Sequence, residues 1–490
     1  MKLNKYFLIG AMGLGLFACS DDLNENGQVG NEQNGGKTYV AIALNYGTSS
    51  RAVVDGDYND TDLDENVAEV ESKVTSLRII VASNGTAEIN EKYNISAFPT
   101  TPYVLEMTSG QKDFYAIINE DAEYAATDNL EDYLNKNINK TALAITTGAG
   151  DKGFLMTGKT SKYINPEVEE GEAAAMNPVE LTVDRVAAKV TVKSAANLGD
   201  NLAENISRIG NIEFAIGNAD LDATTGDGFT AATMAGFFRI AQTNNKTPYY
   251  DFVPIEGKNY THTAPAASAY SAITLSAQNS KAKSLYCLEN THASGSYKQG
   301  NTTYAAFKVP IYLKTAVTFK YTAANSAVDP ATDESAIVDK LEYSVSYDGD
   351  ANPKAFYYIY APENLRGRYI LSSHIDDLKT DMKITGEGAE GRKQVINKLT
   401  ELVSGLSISD EYTDGYGYYK TWLNPDNDAE NSPVLRNNWY EMNITKLTLP
   451  GNPEKPGIDP TDPLTPPTNA SVTVTLRNWN YVKHDVELQN

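Results

Sequence analysis

Apolar and polar residues alternate with a period of two along most of this chain, in short runs punctuated by Gly, Asn, Asp and Pro. Successive side chains of an extended strand leave on opposite faces, so each run reads as a strand with one face turned to a core. The clearest runs are 39–44 (Val40, Ile42, Leu44), 74–81, 114–118, 181–183, 189–193 (Val190, Val192), 307–319 and 356–360. Many short strands with irregular connections predict an all-β protein of antiparallel β-sandwiches with few short helices. Helical spacing is sparse. Residues 130–138 carry it weakly, and 392–403 place Val395, Ile396, Leu399, Leu402 and Val403 on one face of a predicted helix. A boundary near 180–188 divides the chain into two sandwiches of ordinary domain size.

The pattern changes at both ends. Residues 450–467 hold seven of the 20 prolines, interleaved with Gly, Asp and Glu. Such a segment reads as an extended, semi-rigid spacer that rises roughly 3 Å per residue and could reach on the order of 50 Å. Beyond it Val472, Val474 and Leu476 alternate with Ser471, Thr473 and Thr475, followed by Trp479, Tyr481 and Val486. This is a patterned strand on a tether, which need not belong to its own sheet. The alternative is a last strand that returns to its own domain. At the other end, Lys2 and Lys5 precede an apolar run, 6–18, that ends at Cys19. The run has the length of a signal-peptide h-region and is too short for a permanent bilayer span. Leu16 and Ala18 suit the lipobox positions, so Cys19 is the expected lipid-carrying residue. The polar stretch from Ser20 to Lys37 cannot bury enough apolar surface to fold and reads as a tether.

Composition adds exclusions. A hydrophobic content of 41% with 31 Tyr supports real cores. The formal net charge of -23, with no basic stretch, opposes nucleic-acid binding. Two cysteines, one of them reserved for lipid, leave Cys287 without a disulfide partner, and a buried apolar thiol is expected there. Residues 386–391 spell GxGxxG, but the charged segment 376–384 before them is no buried strand, so they read as a loop into a helix. Asp60, Asp62, Asp64 and Glu71 match EF-hand positions one, three, five and twelve, yet Glu65 stands where the turn needs Gly. They read as a weak calcium candidate and more readily as an acidic, mobile segment exposed once the chain ahead of it is cut away. The four histidines are scattered, and His374, beside Asp376 and Asp377, reads as part of a solvated loop. The Tyr-rich stretch 412–419 reads as sandwich aromatics before it reads as a glycan-stacking surface. No nucleophile elbow or metal motif argues for an enzyme, and no cofactor is expected.

Several segments together resemble the fimbrillins, pilus subunits of Gram-negative anaerobes exported as lipoproteins, and within them the type V subunits of short (minor) fimbriae. They are Met1-Lys2-Leu3-Asn4-Lys5; Thr291-His292-Ala293, then Tyr297-Lys298-Gln299-Gly300-Asn301-Thr302-Thr303-Tyr304; Trp422-Leu423-Asn424-Pro425; Arg436-Asn437-Asn438 with Tyr440, Asn443 and Ile444; and Gly451-Asn452-Pro453, the spacer, and the last strand with Trp479, Tyr481 and Asp485. Residues 181–192, with Arg185 and Ala188-Lys189-Val190, resemble the family's entry into its second domain.

The resemblance implies two transthyretin-like sandwiches and polymerisation by strand exchange. An arginine-specific protease would cut between Arg51 and Ala52, removing lipid and first strand together, and a neighbour's C-terminal strand would fill the vacated groove. The implied division is a signal peptide 1–18, propeptide 19–51, N-terminal domain 52–185, C-terminal domain 186–449, linker 450–469 and donor strand 470–490. Val40, Ile42 and Leu44 would lie on the displaced strand, and Val472, Val474, Leu476, Trp479 and Tyr481 on the donor. Partners would be identical subunits in a homopolymer, minor anchor and tip subunits, and host or bacterial surface receptors. The precursor would sit at the outer membrane on its lipid, and the mature subunit in the extracellular fimbrium, serving adhesion and biofilm formation. The alternatives are a minor tip or anchor fimbrillin, and a surface glycan-binding lipoprotein. An anchor would lack a productive cut, a tip subunit would lack the tethered strand, and a glycan binder would keep Cys19 attached and expose its aromatics.

Overall fold

The computed structural model describes residues 36–46, 71, 73–120, 129–134, 153–194, 198, 202–217, 271–273, 284–290, 295, 297–300, 302–324, 339–347, 349, 351–424, 428, 432–454, 462–464 and 470–478. Cys19, Arg51, Ala52, Asp60, Asp62, Asp64, Trp479 and Tyr481 lie outside them.

The first seven strands are β1 (Lys37–Tyr46), β2 (Ser76–Ser83), β3 (Thr86–Asn94), β4 (Tyr103–Thr108), β5 (Gly110–Ile118), β6 (Met156–Ile164) and β7 (Pro178–Arg185). They form one sheet in the order β3-β2-β5-β6-β7-β1-β4. Its middle joint is narrow, pairing Met156 with Arg185 and Thr157 with Asp184. The sheet folds over at that joint. Leu77, Ile79 and Val81 of β2 and Phe114 and Ile118 of β5 thereby share a core with Val179, Leu181 and Val183 of β7 and with β1. β2 is buried on both faces. Its other face packs Ile80 and Ala82 with Leu155 and with Leu130 and Tyr133 of a short helix, α1 (Leu130–Leu134). A second one-turn helix, α2 (Ala173–Met176), precedes β7.

The chain changes sheets across Val186, itself fully buried, between β7 and β8 (Ala187–Ser194). Next come β9 (Ile206–Ile209), β10 (Ile212–Gly217), β11 (Ser271–Ile273), β12 (Leu285–Leu288), β13 (Tyr304–Leu313) and β14 (Ala316–Thr322). The predicted run 307–319 is therefore two strands. After β15 (Lys340–Ser346), β16 (Phe356–Ala361) and β17 (Tyr369–Leu371) come two helices, α3 (Ser372–Asp381) and α4 (Gly388–Leu402). The chain closes with β18 (Ser407–Ile408), β19 (Tyr416–Trp422), β20 (Asn438–Leu447) and β21 (Ala470–Asn478). One sheet runs β12-β8-β20-β21, and another β11-β10-β13-β19 with β9 also on β13. Val190, Val192, Cys287, Tyr440 and Met442 of the first face Phe214, Phe307, Val309 and Tyr419 of the second. Burial pushes the Cys287 thiol up to about 12, so it packs as an inert apolar group.

A satellite unit joins β14–β15 and β17-β16-β18 to the two longer helices. Val395 and Leu399 of α4 and Ile375 and Leu378 of α3 meet Val317, Phe319 and Ile359 there. The GxGxxG segment leads into α4, as its reading as a loop before a helix requires. Two expectations need correction. The sandwiches are not purely antiparallel, because β1 runs parallel to β7 and β20 parallel to β8. His374 is not on a solvated loop: it is half-buried on α3, where its Nε2 accepts from the Phe319 N–H at 2.8 Å.

Candidate functional site

β1 lies between two strands that are not bonded to each other. Its first half pairs antiparallel with β4, from Lys37 opposite Thr108 to Ile42 opposite Tyr103. Its second half pairs parallel with β7, from Ala41 opposite Pro178 to Tyr46 opposite Val183. Alternation does the rest. Val40 and Ile42 are 0% exposed and Leu44 8%, all three in the N-terminal core. Beside the first half, where β7 has not yet begun, the segment 165–177 acts as the wall. Tyr39 N–H donates to Val168 O at 3.0 Å and Ala41 N–H to Asn177 O at 3.1 Å. The Thr38 hydroxyl donates to Asn165 O at 2.7 Å and accepts from Val168 N–H at 3.1 Å. Asn177, 1% exposed, donates its amide to Tyr39 O at 2.9 Å and accepts from Asn165 N–H at 2.9 Å. Outside the groove Glu106 receives Lys37 at 2.5 Å and the Tyr39 hydroxyl at 3.2 Å. The bond to Lys37 lowers the Glu106 carboxyl below its ordinary value.

β21 is not a free tether in this structure. It lies antiparallel on β20, from Ala470 opposite Leu447 to Asn478 opposite Asn438, as the last strand of its sheet. It is therefore bonded along one side, and Val474 is only half-buried. The spacer is also held part-way. Asp462 O accepts from Gln299 N–H at 2.9 Å and Pro463 O from the Gln299 amide at 3.1 Å. Leu464 packs with Tyr297, Tyr304 and Trp422. Three of these partners fall in the family-like segment 297–304. The expected spacer reaching from residue 450 is thus pinned at 462–464, because Leu464 finds an apolar seat that bare Pro, Gly and Asp would not.

A buried polar junction links the two halves, and the alternation pattern gave no sign of it. Glu71, 5% exposed, lies 2.8 Å from the ammonium of Lys189, itself 1% exposed, and accepts the Tyr286 hydroxyl at 2.8 Å. Burial, then Glu71, holds that hydroxyl well above the ordinary tyrosine range. In this structure the Glu71 carboxylate is committed to the junction in place of the calcium role its spacing suggested. Arg185 donates to Asn437 Oδ1 at 3.3 Å, Asn437 donates to Asp184 at 3.1 Å, and Arg436 pairs with Glu289 at 2.8 Å. Lys189, Trp439 and Thr191 stack next to these, with the indole N–H donating to Thr191 at 2.8 Å. Buried charges persist only when paired and hydrogen-bonded, which is how these are arranged. The only hint in the sequence was Arg and Lys inside otherwise apolar runs. The tyrosines of 412–419 divide similarly: Tyr412 stacks on Phe356 at 4.6 Å and Tyr419 is 1% exposed, so both are core.

Among known proteins, residues 410–485 match the family described as Major fimbrial subunit protein type IV, Fimbrillin, C-terminal. The chain is 24% identical to the minor fimbrium subunit Mfa1 of Porphyromonas gingivalis over 94% of this chain and 89% of that protein. It is similar to a solved fimbrilin (fimA) from the same species, with a TM-score of 0.41 and 16% identity over 92% of this chain and 99% of that one. A similar solved structure is the tip fimbrial protein Mfa3 of Porphyromonas gingivalis with a C-terminal truncation, at TM-score 0.34 and 13% identity over 90% and 99%. The matched window spans β19, β20 and β21, the strands that carry the C-terminal end. The chain thus carries a fimbrillin C-terminal match over residues 410–485 and is similar along nearly its whole length to a minor fimbrium subunit.

Proposed function

We propose that this protein is a structural, non-enzymatic stalk subunit of a surface fimbria that polymerises by proteolysis-triggered strand exchange and supports adhesion and biofilm formation. The precursor is held at the outer membrane through Cys19. An arginine-specific protease cuts between Arg51 and Ala52, β1 leaves with the lipid, and β21 of a neighbouring subunit enters between β4 and β7. The result is a homopolymer that ends in anchor and tip subunits and meets host or bacterial receptors.

The observation that carries this reading is the match between β1 and β21. Superposing Val40, Ile42 and Leu44 on Val472, Val474 and Leu476 keeps an apolar side chain at every core position in the same chain direction. The exchange has a favourable direction as well. On β20 the last strand is bonded along one side, whereas in the groove it would gain neighbours on both, with its apolar face fully buried. A head-to-tail contact of this kind does not close on itself and so builds a filament. β21 on its own sheet is then the resting state of the donor, and leaving it is part of assembly.

The test treats purified precursor with an arginine-specific protease, sequences the new N-terminus and looks for SDS-resistant ladders. The expected result is a chain starting at Ala52 that forms ladders. A clean cut at Arg51 that leaves only monomer would overturn the reading.

A further inference from the structure

Removal of β1 would leave β4 without a strand partner, because β1 is its only ladder neighbour among the described residues. Yet β4 is one wall of the groove, and it must stay in place for a new strand to find it. The opposite edge of the folded sheet supplies the means. β3 and β4 are the two ends of the seven-stranded order, and side chains close the seam between them. Glu88 of β3 reaches the end of β4, where it accepts the Thr108 N–H through Oε1 and the Thr108 hydroxyl through Oε2 at 3.0 Å. Lys112 of β5 completes the cluster, donating to Glu88 Oε2 at 2.6 Å and to Thr108 Oγ1 at 2.6 Å. Its side chain is 2% exposed, against 22% for Glu88. At the far end of the same seam, Tyr93 of β3 and Tyr103 of β4 lie 4.7 Å apart between ring centres. Both rings pack on the N-terminal core.

A Thr108 N–H held by a carboxylate is a backbone donor already satisfied without β1. Lys112, nearly shut off from water, has Glu88 as its counter-charge, so the cluster resists coming apart. We infer that Glu88, Thr108 and Lys112 form a clasp that keeps β4 as a standing wall of the groove after β1 has gone, ready for the incoming strand. They are positioning residues, and the inference rests on the strand-exchange reading for its purpose. In the uncleaved chain β1 holds β4 by itself, so the clasp becomes decisive after cleavage.

The experiment compares the full chain with Glu88→Gln and Thr108→Val before and after removal of residues through Arg51 by an arginine-specific protease. Amide hydrogen exchange of β4 and uptake of a fluorescent synthetic peptide of residues 468–490 are measured. Before cleavage the variants should protect β4 as the parent does. After it, β4 amides of the variants should exchange at least about tenfold faster and peptide uptake should slow by about the same factor. Lys112→Arg, which keeps the cation, should behave as the parent. Thr108→Val keeps the side-chain shape and carries the test if Glu88→Gln folds badly. Parent-like protection and uptake in both cleaved variants would overturn the clasp. If the cleaved parent protects β4 and the variants lose that protection, but no chain takes up peptide, the clasp stands and the strand-exchange reading fails.

Discussion

Lys189 and Glu71 are both sealed from water and lie 2.8 Å apart, one at the start of the second sandwich and the other just before β2. Deleting one partner strands the other's charge in the interior. Lys189→Met should therefore lower stability by about 3–5 kcal/mol, while Lys189→Met with Glu71→Leu should recover most of that loss. Urea unfolding of the four chains in a double-mutant cycle measures it. His374 offers a different residue-scale prediction. Burial lowers its pKa from 6.5, and the Phe319 N–H occupies the nitrogen that would take the proton. The unfolded chain then binds a proton that the folded chain refuses, so the histidine's contribution is complete above pH 6.5 and is lost as pH falls below it. Thermal melts at several pH values should show His374→Gln flattening that slope. Neither residue was readable in advance. Alternation reports which side faces the core, but not that a lysine in such a run would meet a glutamate more than a hundred positions away.

At the scale of elements, the sequence was most informative. Short apolar runs marked β1, β2, β5, β7, β8 and β16: strands with one face on a core alternate whatever their partners, while β2, buried on both faces, is apolar from Ile79 to Ala82 without a break. Partner choice was hidden for the same reason: a strand's pattern is identical in parallel and antiparallel pairing. The helix predicted over 392–403 begins earlier, at Gly388, since its first turn has little apolar face to announce it. Its core side chains carry its stability, and Leu399→Ala should destabilise by about 2–4 kcal/mol in urea unfolding. β21 gives the sharper prediction. Being an end strand with one bonded side, it should be dispensable to the monomer, so truncation after Pro467 should leave the circular dichroism spectrum folded while abolishing ladders. Global unfolding of that truncation would mean that β21 serves its own sheet alone.

The whole molecule is two sandwiches and a satellite unit, with the change of sheet at Val186. What could not be read was how firmly the halves are joined, because the junction is built from polar residues that a hydrophobic pattern treats as noise. The spacer holds a related surprise. With Leu464 seated against Tyr297 and Trp422, only residues 465–469 separate that seat from the start of β21. The six steps from Leu464 to Ala470 span at most about 22 Å. On the proposed strand exchange, a donor that keeps its seat would meet its neighbour almost face to face, and the filament would take bending stiffness from close-packed subunits in place of slack from a long leash. Lengthening this segment with a Gly-Ser insert after Leu464 should leave ladders intact and shorten the persistence length of filaments traced by electron microscopy. A fibre built this way would behave mechanically as a rod that transmits force along its axis.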